Sequence, residues 1–271
     1  MSTVKFWGVQ GSCPGTYHKK SLGSNTSCIS IETNKTLIIL DAGSGLRNLS
    51  STLKLDDYDE VVLLLTHSHW DHIQGFPFFS YIYQKKSLII YSHLEKHIDG
   101  LINQINGINF PLHKEQLPCT FKTITNLTEL NQNVSFKVKT ISTNHQGQCI
   151  GFRIIAKDLD VTYIPDNQLH NTTVTSFDDF VDFCKNTSLL IHDSQYNNND
   201  MPHKIDWGHS IYTDALSLSL KSNAKAFTLF HHEPTREKKD ILSMGDDCKK
   251  IAPSMNTIVA EEGLSIDLLG K

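Results

Sequence analysis

The sequence lacks several features that would assign it to a class at once. It has no long block of basic residues, and its 25 Lys and Arg are outnumbered by 29 Asp and Glu, which gives a net charge of −4. A broad face for binding nucleic acid is therefore not indicated. The short basic pairs are expected on solvated faces; they are Lys19 and Lys20, Lys85 and Lys86, and Lys249 and Lys250. These observations argue against a long nucleic acid as a partner.

Long hydrophobic runs are also missing, and no apolar stretch is long enough to span a bilayer. Residues 1–7 lead straight into an apparent strand, without the apolar region of a signal peptide. The six cysteines include no CxxC pair and are too few for a disulfide-stapled secreted scaffold. We therefore expect reduced thiols, a cytoplasmic location and no membrane partner.

The most informative stretch that is present is Thr-His-Ser-His-Trp-Asp-His at residues 66–72, directly after the apolar run 61–65. That run predicts a buried parallel strand, and ligands in α/β sheets bind beyond the carboxyl ends of such strands. His67 and His69 are two residues apart on an extended segment, so their side chains point the same way and can bind one metal ion. Asp71 and His72 lie beyond the bend and can reach a second. Imidazole and carboxylate ligands suit zinc, with iron or manganese as alternatives.

Two metal ions about 3.5–4 Å apart form the clamp used in phosphoester hydrolysis, but one cluster cannot complete two coordination spheres. Residues 67–72 match the HxHxDH signature of the metallo-β-lactamase-fold hydrolases. The downstream order is also similar to that superfamily, with an isolated His145, Asp166 after a strand, and His231 at a late strand end. The resemblance implies an α/β fold, a four-layer αββα sandwich, as a single domain over residues 1–271.

The resemblance also implies a ligand set for two divalent ions, most simply Zn²⁺, with Mn²⁺ or Fe²⁺ as alternatives. One ion would be held by His67, His69 and His145. The other would be held by Asp71, His72 and His231. Asp166 would lie between the two ions. His232, next to His231, is the less favoured ligand by register.

Within the superfamily the chain most resembles the phosphodiesterase branch, which includes RNase Z, phosphoribosyl cyclic phosphodiesterases and cyclic-nucleotide phosphodiesterases. The β-lactamases proper tend to carry Cys where Asp166 stands. Asp193 matches a carboxylate position of RNase Z-like enzymes, and Gly-His-Ser at 208–210 resembles an element whose His protonates the leaving oxygen. The implied catalytic residues are therefore His209 as proton donor, Asp193 as its support, and Asp71 as a residue that could orient the nucleophile.

Other polar positions carry weaker signals. Asp41, in a segment similar to the family's LDxGxG, is interpreted as support for the metal loop, with a plain turn as the alternative. The glycine-rich loop at residues 8–15 is either a simple turn or a place where backbone approaches the metal site. His192 is interpreted as incidental, and three isolated histidines are expected to be structural or exposed: His93, His97 and His113.

The leading functional prediction is a dinuclear phosphodiesterase acting on a small phosphodiester, such as a cyclic nucleotide or another cyclic phosphate, through a hydroxide that bridges the metals. An RNase Z-like RNA-processing nuclease is the nearest alternative, although residues 167–208 offer a compact helix where that enzyme carries a long Gly/Pro-rich arm. A non-catalytic metal-holding binding or accessory protein of the same fold also stays open. A homodimer is the commonest expectation for a soluble enzyme.

Apolar patterns and turn residues also predict the main elements. Helices are predicted after residues 41–47 as far as about residue 55, and over 94–106, 176–184 and 211–222. Residues 121–143 are predicted to form two or three strands, and the aromatic stretch 76–83 to line or cover the site. The other predicted strands cover 4–10, 28–32, 36–40 (after a turn at Asn34 and Lys35), 61–65, 87–91, 151–155, 161–165, 189–191, 225–230 and, as strand-turn-strand, 258–266.

Overall fold

The computed structural model describes residues 2–15, 22–33, 35–170, 174–201 and 203–268. Within them the chain forms two β-sheets and seven α-helices. The strands are β1 (Ser2–Gly8), β2 (Cys28–Thr33), β3 (Thr36–Leu40), β4 (Glu60–Leu64), β5 (Ser87–Tyr91), β6 (Thr120–Ile124), β7 (Lys137–Ser142), β8 (Ile150–Ala156), β9 (Leu159–Ile164), β10 (Leu189–Asp193), β11 (Ala226–Phe230), β12 (Asn256–Val259) and β13 (Ser265–Leu268). The helices are α1 (Gly45–Thr52), α2 (Trp70–Ile73), α3 (Glu95–Ile102), α4 (Leu127–Asn133), α5 (Phe177–Cys184), α6 (Tyr212–Lys221) and α7 (Lys238–Ile251).

Both sheets combine antiparallel and parallel strands. The seven-stranded sheet has the order β13-β1-β2-β3-β4-β5-β6, with parallel pairing from β3 to β6. The six-stranded sheet has the order β12-β11-β10-β9-β8-β7, with parallel pairing from β12 to β9. The parallel strands β4, β9, β10 and β11 direct their carboxyl ends to one edge of the structure, where the candidate ligands follow them in sequence.

Three apolar layers show how the sheets and helices are stacked. Between the sheets, side chains from both pack together, for example Val62 with Phe152 and Phe230. A second layer joins the outer face of the seven-stranded sheet to helices α1 and α3. A third joins the outer face of the six-stranded sheet to α5, α6 and α7. This is the predicted four-layer αββα sandwich, in which each sheet buries one face on the other sheet and one face under helices.

Besides the short α2, helices α4 and α7 were not predicted. Residues 121–143 contain two strands, as expected, but helix α4 separates them and the strands belong to different sheets. In α4, only Leu130 is buried, so the segment has too few apolar residues to show a helical period. In α7, the buried residues Ile241, Met244, Gly245 and Cys248 have helical spacing, but a glycine among them weakens the pattern.

The aromatic stretch at residues 76–83 was expected at the site, and most of it lies elsewhere. Phe76, Phe79 and Tyr81 are buried in the apolar layer between the seven-stranded sheet and its helices, and Phe78 is exposed. The turn predicted at Asn34 and Lys35 joins β2 to β3, which pair antiparallel, although Asn34 itself lies outside the described residues.

All six cysteines are described, and none forms a disulfide. Five are buried and Cys13 is exposed, in keeping with the prediction of reduced thiols. Among the described helices, none combines the length and apolar character needed to cross a bilayer.

Candidate metal centre

The seven predicted ligands come together at the shared edge of the two sheets. His67, His69, Asp71 and His72 follow strand β4 of one sheet, while His145, Asp166 and His231 follow β7, β9 and β11 of the other. They form two groups that share Asp166, and within each group the candidate ligand atoms lie within 4.8 Å of one another. The open group is His67, His69, His145 and Asp166. The buried group is Asp71, His72, Asp166 and His231.

The open group has one side that reaches solvent. His69 is partly exposed, and its Nδ1 lies 3.1 Å from Nε2 of His145. His145 Nε2 is 3.4 Å from Oδ2 of Asp166, and His67 Nε2 is 3.8 Å from the same oxygen. Three imidazole nitrogens and one carboxylate oxygen therefore converge on one point, which is a donor set typical of zinc.

The buried group is more tightly enclosed. Nε2 of His72 and Nε2 of His231 lie 3.1 and 3.2 Å from Oδ1 of Asp166. The same two nitrogens each lie 3.3 Å from Oδ2 of Asp71. Asp166 thus turns one carboxylate oxygen to each group. A carboxylate in that position can bridge two cations.

Three buried atoms at this centre make no hydrogen bond of good geometry within the described part of the chain, although two of them lie 3.1 Å apart: Nε2 of His67, Nε2 of His72 and Oδ1 of Asp166. Buried polar atoms are nearly always satisfied, so such a concentration calls for an explanation. Divalent metal ions bound by the two groups would satisfy all three. The residues present therefore fit a metal, and the donor set is the mixed imidazole and carboxylate set that divalent ions take.

The histidines of the buried group are fixed by side chains on their far nitrogens. His72 Nδ1 lies 2.8 Å from Oδ2 of Asp41, which also accepts a hydrogen bond from the Tyr163 hydroxyl. His231 Nδ1 lies 2.9 Å from Oε1 of Gln195. Asp41 therefore contacts the metal loop as its motif suggested. Gln195 and Tyr163 had not been singled out, although Gln195 follows the end of strand β10 by two residues.

The open group has weaker supports. His67 Nδ1 lies 3.1 Å from the hydroxyl of Thr66, and His145 Nδ1 lies 2.9 Å from the carbonyl oxygen of Gly208. No carboxylate approaches these far nitrogens among the described contacts. Orientation of a metal-binding imidazole by its second nitrogen is general in such sites, and carboxylates make the imidazole more basic than hydroxyls or carbonyls do.

The two groups also differ in charge. Burial lowers the pKa of His67 well below its usual value and that of His145 to about 4. Burial would also lower the pKa of His72 and of His231, but neighbouring carboxylates, Asp166 foremost, raise both instead. For Asp166 burial would raise the pKa, and the surrounding histidines lower it well below its usual value. The carboxylate is thus held ionised, ready to bind cations.

A hydrogen-bonded pair lies beside both groups. Nδ1 of His209 is 2.8 Å from Oδ2 of Asp193, and both residues are buried. The His209 ring lies 5.0 Å from the ring of His145 and 5.1 Å, stacked, from that of His231. Asp193 is itself fixed, because it accepts hydrogen bonds from the backbone of Asn167 and Gln195. The fold therefore places this pair next to one histidine of each group.

The remaining candidate histidines lie outside the two groups. His192 is buried, with Nδ1 2.7 Å from the Asp193 carbonyl and Nε2 3.2 Å from the Asn167 amide. His232 donates from Nε2 to the carbonyl of Ala260 at 2.8 Å. His97 contacts the Ser68 hydroxyl at 2.9 Å and neighbours His93. His113 is exposed.

Glycine at two positions permits backbone to approach the site. A side chain at Gly11 would come within 2.5 Å of Nδ1 of His231, and one at Gly208 within 2.6 Å of Nδ1 of His145. Gly208 also has φ +80°, which other residues rarely adopt. Of the two interpretations of the N-terminal glycine loop, close approach to the centre applies at Gly11.

Comparisons with known proteins agree with this architecture. The family model described as "Beta-lactamase superfamily domain" matches residues 36–232. A ribonuclease Z of Prochlorococcus marinus is 21% identical over 326 residues, covering 98% of this chain and 99% of that protein. The metallo-β-lactamase-fold protein YhfI of Bacillus subtilis is 19% identical with a TM-score of 0.73, over 98% of each chain. A diphosphatase of the PhnP family is 16% identical with a TM-score of 0.66, over 100% of each chain.

Proposed function

The chain belongs to the beta-lactamase superfamily, and from that premise we propose that it is a dinuclear metal-dependent phosphodiesterase whose substrate is a small phosphodiester, such as a cyclic nucleotide or another cyclic phosphate. Its curated relatives include ribonucleases Z, and its fold is also that of a PhnP-family diphosphatase. The observation that carries the proposal is the His209–Asp193 pair, placed beside one histidine of each ligand group. Hydrolysis of a carboxylic ester, thioester or lactam would leave that pair without a role.

In this proposal His67, His69 and His145 would hold one ion, Asp71, His72 and His231 would hold the other, and Asp166 would serve both groups. Zn²⁺ is the favoured ion for this donor set, with Mn²⁺ or Fe²⁺ as alternatives. When bound, two such ions would lower the pKa of a water between them and screen the negative charge of the phosphate.

The chain's own residues supply positioning and proton transfer. Asp193 fixes Nδ1 of His209, so that Nε2 is the nitrogen free to donate a proton to the departing oxygen. Asp71 is held by a hydrogen bond from the backbone of Ser12 to Oδ2 at 2.8 Å, and its carboxylate orients the attacking group. Because the buried group is shielded from water, electrostatic interactions among its charged side chains are stronger than they would be in solvent.

The test is hydrolysis of bis-p-nitrophenyl phosphate and of 2′,3′- and 3′,5′-cyclic nucleotides by protein of measured metal content. The His69→Ala variant should lose activity, because His69 belongs to the open group. His113→Ala, which removes an exposed histidine outside the centre, is the matched control and should keep full activity. Absence of turnover by wild-type protein carrying two metals per chain would instead favour the binding or accessory function.

An RNase Z-like nuclease is the second candidate, because ribonucleases Z are the curated relatives. Against it, the described residues between Asp166 and His209 hold helix α5, strand β10 and a short 3₁₀ turn, and no long projecting arm. A precursor transfer RNA with a 3′ trailer distinguishes the two. Cleavage of that RNA with a higher kcat/KM than any small phosphodiester would replace the leading proposal.

A further inference from the structure

Two of the three tryptophans are strongly exposed, and both belong to the segments that build the metal centre. Trp70 and Trp207 are each 59% exposed, whereas Trp7 is buried at 5%. A large aromatic side chain gains most of its stabilising free energy from burial, so exposure of this extent is uncommon for a residue with only a structural role. Two such residues beside one site suggest a surface that a ligand covers.

Chain connectivity places each tryptophan next to residues of the metal centre. Trp70 lies between His69 and Asp71, which contribute to the open and the buried group respectively. Trp207 precedes Gly208, whose carbonyl oxygen contacts His145, and lies two residues before His209. His69 and His145 are in direct contact at 3.1 Å. Trp70 is therefore the chain neighbour of His69, and Trp207 the chain neighbour of the glycine that contacts His145, so each half of the His69–His145 contact has an exposed tryptophan beside it in sequence.

Trp207 is held in place from one side. The ammonium of Lys204 lies 5.5 Å from the Trp207 ring centroid and 4.8 Å from that of Tyr196. Lys204 is itself fixed by an ion pair with Glu233 at 2.8 Å. Tyr196 in turn packs edge-on against His209, with 5.6 Å between ring centroids. This chain of contacts fixes the indole relative to the His209–Asp193 pair while much of the indole surface faces solvent.

We propose that Trp70 and Trp207 bind the nucleobase of a nucleoside phosphodiester by stacking, with the phosphate at the metal centre. The inference rests on the proposed function and narrows it, because it identifies the substrate as a phosphodiester that carries a nucleobase. Every base has a π-face, so stacking recognises a base without selecting among bases. Base–aromatic stacking lost by alanine substitution corresponds to about 5- to 150-fold in affinity.

The experiment compares two substrates with the same leaving group. Thymidine 5′-p-nitrophenyl phosphate carries a base, and methyl p-nitrophenyl phosphate does not. For Trp207→Ala and for Trp70→Ala, kcat/KM for the thymidine substrate should fall about 5- to 150-fold, while that for the methyl substrate stays within about twofold of wild type. Trp207→Phe should recover part of the loss. Phe78→Ala, which removes another exposed aromatic ring, is the control and should change neither substrate.

Two results would overturn the inference while leaving the phosphodiesterase proposal in place: unchanged kcat/KM for both substrates, or an equal loss on both. If metal-loaded wild-type protein hydrolysed neither substrate, the proposed function would fail first. In that case a binding measurement tests base stacking independently of activity. Adenosine 5′-monophosphate should quench the tryptophan fluorescence of the metal-loaded protein at concentrations where ribose 5-phosphate does not, and Trp207→Phe should reduce the quenching. Equal quenching by both compounds, or by neither, would refute base stacking.

Discussion

The two ligand groups share Asp166 but differ in how the chain prepares them. In the buried group every member is enclosed, and carboxylate or amide oxygens contact the far nitrogens of its histidines. In the open group His69 reaches solvent, and the far nitrogens of His67 and His145 contact only a hydroxyl and a carbonyl oxygen. Carboxylates also raise the pKa of the buried-group histidines, whereas burial lowers the pKa of His67 and His145.

This difference suggests that the two groups bind their ions in a fixed order and exchange them at different rates. The buried group is oriented by Asp41 and Gln195 before a metal arrives, so its ion should bind first and exchange slowly. The open group has imidazoles that burial keeps neutral, and His69 gives it access to solvent, so its ion should exchange faster and lie closer to the incoming substrate. Three predictions test this comparison, and a fourth tests the effect of burial on a histidine outside both groups.

The largest effect is expected at the residue that the groups share. Asp166→Asn removes the negative charge that faces both groups, so both ions should bind more weakly. Activity should fall by more than the roughly 10–100-fold typical of residues that only support ligands. Metal analysis by mass spectrometry after gel filtration is the measurement. Asp158→Asn, in the turn between β8 and β9, is the control. Retention of two metals by Asp166→Asn would rule out the bridging position.

Substitution of His209, which lies beside both groups, should separate the effect on catalysis from the effect on metal binding. His209→Ala should lower kcat by about 10²–10⁴-fold, the range for loss of a general acid. Metal content should stay at the wild-type level, because His209 is paired with Asp193 and belongs to neither proposed ligand set. Loss of either metal would instead make His209 part of the metal site.

Asp41 supports His72 of the buried group, so its substitution should weaken the buried group without affecting the open group. In Asp41→Asn an amide would face Nδ1 of His72 and the Tyr163 hydroxyl in place of an accepting carboxylate oxygen. The tighter of two metal-binding steps, titrated against a chelating indicator, should weaken about 10–100-fold while the other changes little. Equal weakening of both steps would contradict the assignment of Asp41 to the buried group.

The smallest effect concerns a buried histidine outside both groups. The pKa of His232 is lowered by burial from 6.5 to about 4. A lowered pKa means that the unfolded chain binds the proton first as pH falls. The stability due to neutral His232 is therefore complete above pH 6.5 and is lost toward pH 4, by about 3 kcal/mol at most.

His232→Gln tests this statement, because the Gln amide can still donate to the Ala260 carbonyl and does not titrate. Urea unfolding of metal-free wild-type and variant protein at pH 7.5 and pH 4.5 is the measurement. The free energy of unfolding should fall less for the variant over this interval. An equal decrease in the free energy of unfolding for both proteins would show that His232 has the same pKa in the folded and the unfolded chain.

Sequence patterns predicted much of the fold and the side chains that meet at the candidate metal centre. A buried strand followed by HxHxDH placed His67 to His72 at a strand end, and the strands before Asp166 and His231 were legible from their apolar runs. Helices α4 and α7 were missed because their buried faces are narrow or contain glycine. Gln195 and Lys204 act through partners about 30 to 40 residues away, and no local pattern encodes such contacts.

The backbone at two of these positions has a consequence for how the site could change over time. Asp41 and His231 both have left-handed φ angles, +58° and +60°, a conformation that glycine adopts without strain and that costs other residues free energy. Random substitution to glycine at either position would relax the chain while removing a carboxylate or an imidazole from the centre. Backbone strain alone would thus favour glycine there, and the contacts of the Asp41 carboxylate and of the His231 ring oppose it. A glycine at position 41 or 231 in a related sequence would mark a lineage in which that chemistry is no longer under selection.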